Sequence, residues 1–326
     1  MRGGRAALAL LLAAHAAQAL LQGAKRWGEL TASQDAAEKD KWPRVACSKD
    51  EEAMKQKAVA LEETYGPRMR EVMAKLDSPA YLTVSGGYLK PLANYLVHLQ
   101  QVGIAEGRSM SAVSVMMDQT GIDACRAMER NLGAMSMVCL DLTGWIDTYH
   151  EPHSYPYQYW WAKPVIYKLA VESSNHGVML TDLDVVIYQD LIDYTASVFR
   201  KHEDIAIACS SELGNFNWNT GIMYAEKKSL PVLQLWVQEN HCYFQKEFGD
   251  QSAINSVFNR NMSQLGSGAM RVYTFPRSVV NQLCVKGTHA GHYNCIEKQS
   301  KGVQGVMMDG EDWVDADDLL TNHSQP

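Results

Sequence analysis

The sequence predicts an α/β domain, a mostly parallel sheet flanked by helices, and three observations carry that expectation. From residue 79 onward, short apolar runs alternate with helix-length segments, the pattern of βαβ units. The 326 residues are 46% hydrophobic and 21% charged, enough to enclose one large core. No internal repeat breaks the chain into smaller units.

The elements follow in order. Met1-Arg2-Gly3-Gly4-Arg5 and the run AALALLLAAHAAQALL, Ala6 to Leu21, make residues 1–24 a secretory signal peptide or short signal anchor. A spanning helix needs about 20 apolar residues, and His15 and Gln18 interrupt this run. Membrane attachment is therefore expected only as a possible N-terminal, single-pass type II anchor. Residues 25–78 are charged and helix-favouring. Ala53, Ala60, Leu61, Met69, Val72, Met73 and Leu76 give a partial helical stripe broken near Gly66-Pro67, read as a helical stem or N-terminal arm.

The single catalytic-sized domain is expected over 79–302. "AYLTVSGGYLKPLANYLVHLQQVG" is a strand, a Ser-Gly-Gly turn and a helix. "SAVSVMMDQTGIDACRAMERNLGAMSMVCLDL" repeats that order, with strands at 112–117 and 136–140 around a helix near 121–131. "YQYWWAKPVIYKLAVES" is a helix that leads into a strand at 178–181. Beyond residue 200 come strands at 205–209 and 221–225, helices at 230–241 and 250–259, and a strand near 271–275. The final segment, 303–326, contains DGEDWVDADD and reads as an acidic surface tail.

Composition limits the function. A net charge of −7 opposes a phosphate-wrapping surface, so nucleic acid is not an expected partner. The seven cysteines include no CxxC pair. They suit an oxidising compartment with one or more disulfides; Cys284 and Cys295 are near enough to close a loop, and the pairing stays open. Asn261-Met262-Ser263 and Asn322-His323-Ser324 are glycosylation sequons.

The chemistry concentrates in "HGVMLTDLDVVIYQDL", residues 176–191. Side chains at i and i+2 on a strand share a face, so Asp182 and Asp184 are expected to present two carboxylates together beyond the strand. The carboxyl edge of an open α/β sheet is where ligands bind. Two like charges there need a cation, and oxygen ligands with room for phosphate suit Mn2+ or Mg2+. Haloacid-dehalogenase-type phosphatases also carry D-x-D-x-[T/V], and DLDVV fits that string. They place it near the start of the fold, whereas here about a hundred residues of domain precede it. Their later acidic motif has only Asp250 of FGDQSAINS or the loose substitute MMDGEDW to match it.

Over about 79–302 the chain resembles the nucleotide-diphospho-sugar transferase family of plants and algae, which includes arabinosyl-, xylosyl- and galactosyltransferases. Five blocks carry the resemblance in order: "YLTVSGGYLKPLANYLVHLQQVG", "VMLTDLDVVIYQDL", "NWNTGIMYAEK", "GDQSAIN" and "HYNCIEKQSKG". The chain departs from the family pattern in lacking the Pro that often follows QDL, and in placing Gly302 after Lys301. The resemblance implies a GT-A-like, Rossmann-related mixed sheet. It implies a metal-dependent glycosyltransferase that moves a sugar from a nucleotide donor, expected to be a UDP-sugar, to a glycan or glycoprotein acceptor in the Golgi lumen. A luminal nucleotide- or sugar-binding protein of the same fold without turnover is the alternative.

The resemblance also assigns residues. Asp184 binds the metal, Asp182 shares it or contacts the ribose, and His292 is the third ligand, with His289 a competitor. Ser85, Gly86 and Gly87 after the first strand approach the nucleotide. Asp118 contacts base or ribose, or simply caps a helix. Lys163, and Lys298 or Lys301, reach the diphosphate, or are solvated lysines. The aromatics of "YPYQYWW" stack on a sugar or belong to the core. Asn219, with Thr220 and Gly221, faces the acceptor. Asp250 and Gln251 stand near the reacting sugar, Asp250 as general base of an inverting reaction or clamp of a retaining one, or as an ordinary N-cap.

Overall fold

The computed structural model describes residues 51–85, 88–144, 157–211, 218–243, 249–260, 271–282 and 286–293, with 304, 307, 312–314 and 319 near the C-terminus. The signal segment, both sequons, Cys47, Cys284, Cys295, Gly86, Gly87, Lys298 and Lys301 lie outside the described residues, as do the side chains of 157–161. In chain order the helices are α1 (Glu51–Ala74), α2 (Leu89–Glu106), α3 (Gln119–Asn131), α4 (Tyr157–Ser173), α5 (Leu191–Lys201), α6 (Leu230–Tyr243) and α7 (Gly249–Arg260). The strands are β1 (Ala80–Ser85), β2 (Ser111–Met116), β3 (Ser136–Asp141), β4 (Val178–Thr181), β5 (Val185–Ile187), β6 (Ile205–Ser211), β7 (Trp218–Ala225), β8 (Arg271–Thr274), β9 (Val280–Asn281) and β10 (Ala290–His292). Among the described residues no helix is long and apolar enough to cross a membrane.

Seven strands form the main sheet in the order β3-β2-β1-β4-β7-β6-β8. The pairs β1–β2, β2–β3, β1–β4 and β6–β8 are parallel, and β7 runs antiparallel to both neighbours. The parallel half reads as continuous apolar runs because helices cover both faces. Alternation along β1 makes this concrete: Leu82 joins the core under α1, α4, α6 and α7, while Tyr81 joins the core under α2, α3 and α5. The sequence order reverses direction at β1, between β2 and β4, the kind of switch point that leaves a crevice at the carboxyl edge.

Local chemistry sets the ends. Asp118 caps α3 by accepting from the Gly121 N–H at 2.6 Å, and Asp190 caps α5 by accepting from Ile192 and Asp193. Gly107 ends α2 in the left-handed region at φ 69°, where a side chain would be strained. A disulfide joins Cys125 of α3 to Cys139 of β3. Cys242 is also disulfide-bonded, and Cys209 is a free, buried thiol.

Three expectations need correction. The helical stripe does not break at Gly66-Pro67: α1 runs through Pro67, held by burial of Leu61, Met69, Val72 and Met73 in the main core. That burial also makes this part of 25–78 a packed element of the domain rather than an arm. The acidic tail is likewise anchored, because Asp312 is 2% exposed and Met307 is fully buried. Asp312 accepts from the hydroxyls of Tyr188 and Tyr293 and pairs with Lys286 at 2.9 Å. Its carbonyl meets His98 Nε2 at 2.9 Å, and Asn94 receives the Val314 N–H at 2.7 Å.

Asp312→Ala removes the acceptor shared by the Tyr188 and Tyr293 hydroxyls, which can then bond only to each other, 3.1 Å apart. It is expected to lower stability by roughly 1–3 kcal/mol in urea unfolding, the cost of one buried polar group left unpaired. An unchanged midpoint would show that the tail contributes nothing to the fold.

Candidate active site

The aspartate pair sits between two sheets. β4 belongs to the main sheet, and β5 to a second, three-stranded sheet of order β5-β10-β9. Asp182, Leu183 and Asp184 form the turn between them, so the carboxylates converge through a turn and not by extended-strand alternation. Backbone bonds explain the change. The Asp182 N–H still bonds to the Gly221 carbonyl of β7 at 2.8 Å, whereas the Asp184 carbonyl already accepts from Tyr293, next to β10, at 2.7 Å.

β10 runs antiparallel to β5 with His292 opposite Val185. Ligand atoms of Asp182, Asp184 and His292 consequently all lie within 4.8 Å of one another. His292 Nε2 is 3.3 Å from Asp184 Oδ1, and its Nδ1 is buried with no hydrogen-bond partner. Two carboxylates and an imidazole at this spacing fit a divalent cation: hard oxygens with one borderline nitrogen suit Mn2+, and Mg2+ less closely. His289 does not join them. Its ring stacks on Tyr194 with centroids 4.8 Å apart, and Nδ1 meets Thr288 Oγ1 at 2.9 Å.

Behind the pair lies a buried charge network. Lys163 of α4 is 6% exposed, with Nζ 2.7 Å from Asp182 Oδ1 and 3.4 Å from Asp250 Oδ2. Burial opposes its charge, yet the two carboxylates outweigh burial and raise its pKa. Asp250, 3% exposed at the start of α7, accepts from Thr220 Oγ1 at 2.9 Å. Burial first, then the Asp182 charge, raises its pKa against the opposing pull of Lys163. The Trp236 indole N–H fixes the Asp250 carbonyl at 2.7 Å. Lys163 therefore stands within ion-pair distance of two aspartates rather than free at the surface, and Asp250 is more than an N-cap.

β7 supplies the floor. Asn219 Nδ2 donates to Gln251 Oε1 at 3.1 Å, and Asn219 Oδ1 accepts from the Gly221 N–H at 2.7 Å. A Cβ on Gly221 would lie 2.4 Å from His292 Cε1 and 2.8 Å from Nε2. Glycine is needed here for close approach. The hydroxyl of Ser85, at the carboxyl end of β1, is buried with no partner. Asp118 lies at the matching end of β2 with one oxygen committed to its cap.

Sequence reasoning missed β5, α5, β9 and β10, and with them Gln282, which follows β9, and Tyr293, which follows β10 and bonds to Asp184. Strands of two or three residues carry no readable alternation. The polar pair Asn281-Gln282 after Val279-Val280 was the available signal.

A family model described as nucleotide-diphospho-sugar transferase matches residues 113–309, more than half of the chain. Comparison with curated proteins gives no match. Among solved structures, the apo form of mouse xyloside xylosyltransferase 1 aligns with a TM-score of 0.50 at 13% identity, over 67% of this chain and 98% of that one. The galactosyltransferase LgtC, solved with donor and acceptor sugar analogues, gives 0.49 at 12% identity over 75% and 98% of the two chains. At such identities the first likeness bears on fold alone, and the second carries no further argument.

Two outcomes test the site's construction. Gly221→Ala is expected to displace the His292 ring and weaken Mn2+ binding by about tenfold or more in calorimetry, the range for changes that misorient a ligand. Lys163→Met leaves the Asp250 carboxylate buried without its partner and should cost about 3–5 kcal/mol near neutral pH. Asp250 has a folded pKa above its unfolded value, so proton uptake at acid pH favours the fold and that help is lost as pH rises. The deficit of the variant should therefore shrink as pH is lowered in urea titrations.

Proposed function

The chain belongs to the nucleotide-diphospho-sugar transferase family and is a glycosyltransferase with a GT-A-type fold, and from that premise we propose a UDP-sugar as its donor. The acceptor in this reading is a glycan or glycoprotein of the secretory pathway. The observation that carries the proposal is the convergence of Asp182, Asp184 and His292 within 4.8 Å at the carboxyl edge of the sheet. Mn2+ or Mg2+ held by these three would supply charge neutralisation for the diphosphate leaving group.

The remaining residues act by position and charge. Ser85 offers a buried hydroxyl to the nucleotide at the end of β1, with Asp118 on the neighbouring strand. Lys163 keeps Asp182 aimed at the site while its charge offsets that of Asp250. Asp250 is bonded to Thr220 and almost wholly buried, which fits a positioning role better than the general base or acceptor clamp expected from sequence. Gln251 is partly exposed and accepts from Asn219, which supports it as the member of that pair that touches the reacting sugar.

Location is part of the proposal. The basic start and apolar run of residues 1–24 suit entry into the secretory pathway as a cleaved signal or type II anchor, and from there the Golgi lumen. The Cys125–Cys139 bridge suits an oxidising lumen.

UDP release from UDP-sugars, measured with Mn2+ and with EDTA, tests the reading. Asp184→Asn is expected to reduce release by at least about a hundredfold, the loss of roughly 3 kcal/mol of charge stabilisation, with an unchanged circular dichroism spectrum. Undiminished, EDTA-insensitive turnover in a folded Asp184→Asn protein would falsify the assignment. A wild-type protein that binds UDP yet never releases it from any UDP-sugar would instead be a binder without turnover.

A further inference from the structure

Gln282 is 6% exposed, and neither amide atom has a hydrogen-bond partner. Leaving a polar group buried and unpaired costs about 1–3 kcal/mol, and such groups call for an explanation. Location supplies one. β9 and β10 run parallel, with Val280 opposite Ala290 and Asn281 opposite Gly291. β9 ends at Asn281, and the same register continued by one residue would set the next side chain, Gln282, opposite His292.

Residues opposite each other in adjacent strands project to the same face. On that register the amide would share the face on which His292 meets Asp184. β9 is the edge strand on the far side of β10 from the aspartate turn. On that register Gln282 would stand about one strand spacing, ~4.8 Å, beyond the His292 position, outside the Asp-Asp-His set and on the side toward what that set holds.

The chemistry of the orphaned group narrows its ligand. A diphosphate only accepts hydrogen bonds, so it would satisfy Nε2 and leave Oε1 bare. A sugar hydroxyl both donates and accepts, and two neighbouring hydroxyls can engage both ends of an amide. We propose that Gln282 is a specificity-determining residue that binds a pair of hydroxyls on the sugar being transferred. The inference rests on the UDP-sugar reading above: the transferred sugar is bonded directly to the diphosphate, and so lies next to the Asp182-Asp184-His292 set. Pockets that hydrogen-bond a substrate hydroxyl reject analogues lacking it far more sharply than apolar pockets reject a missing methylene.

The test is calorimetric binding of UDP, UDP-galactose, UDP-glucose and UDP-xylose to the full chain in Mn2+, for wild type, Gln282→Leu and Gln282→Met. The expected result is unchanged UDP affinity with the preferred UDP-sugar weakened about tenfold. Thermal midpoints are expected to equal or exceed that of wild type, since the apolar replacements remove a buried unpaired amide. An unaltered ratio of UDP-sugar to UDP affinity overturns the assignment, as does a parallel loss of both. Destabilisation in both variants overturns it too, because the amide would then be serving the fold. Wild-type protein that binds neither UDP nor any UDP-sugar sinks the UDP-sugar reading itself, a result separate from any of these.

Discussion

Like-charge repulsion at the carboxyl edge of the sheet is the constraint around which this molecule is arranged. Asp182, Asp184 and Asp250 bring three carboxyl groups toward one region, two of them buried. Charges so placed hold together only when something positive stands among them. The chain answers half of the demand itself, with the buried Lys163 ammonium between Asp182 and Asp250. The other half, between Asp184 and His292, matches the charge and donor preference of a divalent ion. A fold that keeps part of its electrostatic complement for a ligand gives up some stability for function.

That arrangement requires a seam between two sheets. The chain leaves the main sheet after β4 and enters the small sheet at β5, and the Asp-Leu-Asp turn is the crossing. Backbone bonds on each side, from Asp182 to β7 and from Tyr293 to Asp184, hold the turn at both ends. Gly221 lets β7 pass under the His292 ring. The far side is closed by Asp312, whose bonds to Tyr188 and Tyr293 tie the C-terminal segment to β5 and β10. Within a segment read as a solvated acidic tail, Asp312 is therefore a clasp beside the sheet that carries His292.

The metal-site candidates were legible because their spacing is short and their setting is apolar. An Asp-x-Asp after VMLT can hardly avoid placing two carboxylates together. The reason given by strand alternation was nonetheless different from the one the structure shows, a turn between sheets. Lys163 and Asp250 illustrate what sequence leaves open. Lys163 admitted a solvated reading and Asp250 an ordinary N-cap, and both are buried, because α4 and α7 bring residues 87 positions apart to within 3.4 Å. Gln282 and Asp312 were missed altogether: one follows a two-residue strand, and the other lies in a segment whose composition looks wholly exposed.

Sequence alone determined the alternation of strands and helices, the apolar runs that demand burial on both faces, and the family blocks over residues 79–302. Those are properties of near neighbours, set by side-chain period and hydrophobicity over a few residues. Tertiary structure decided which histidine faces the aspartates, which lysine is buried between them, and which terminal segment is folded in. These depend on strand register and on packing between elements far apart in the chain, where the free energy of burying a charge is fixed by partners that no local pattern names.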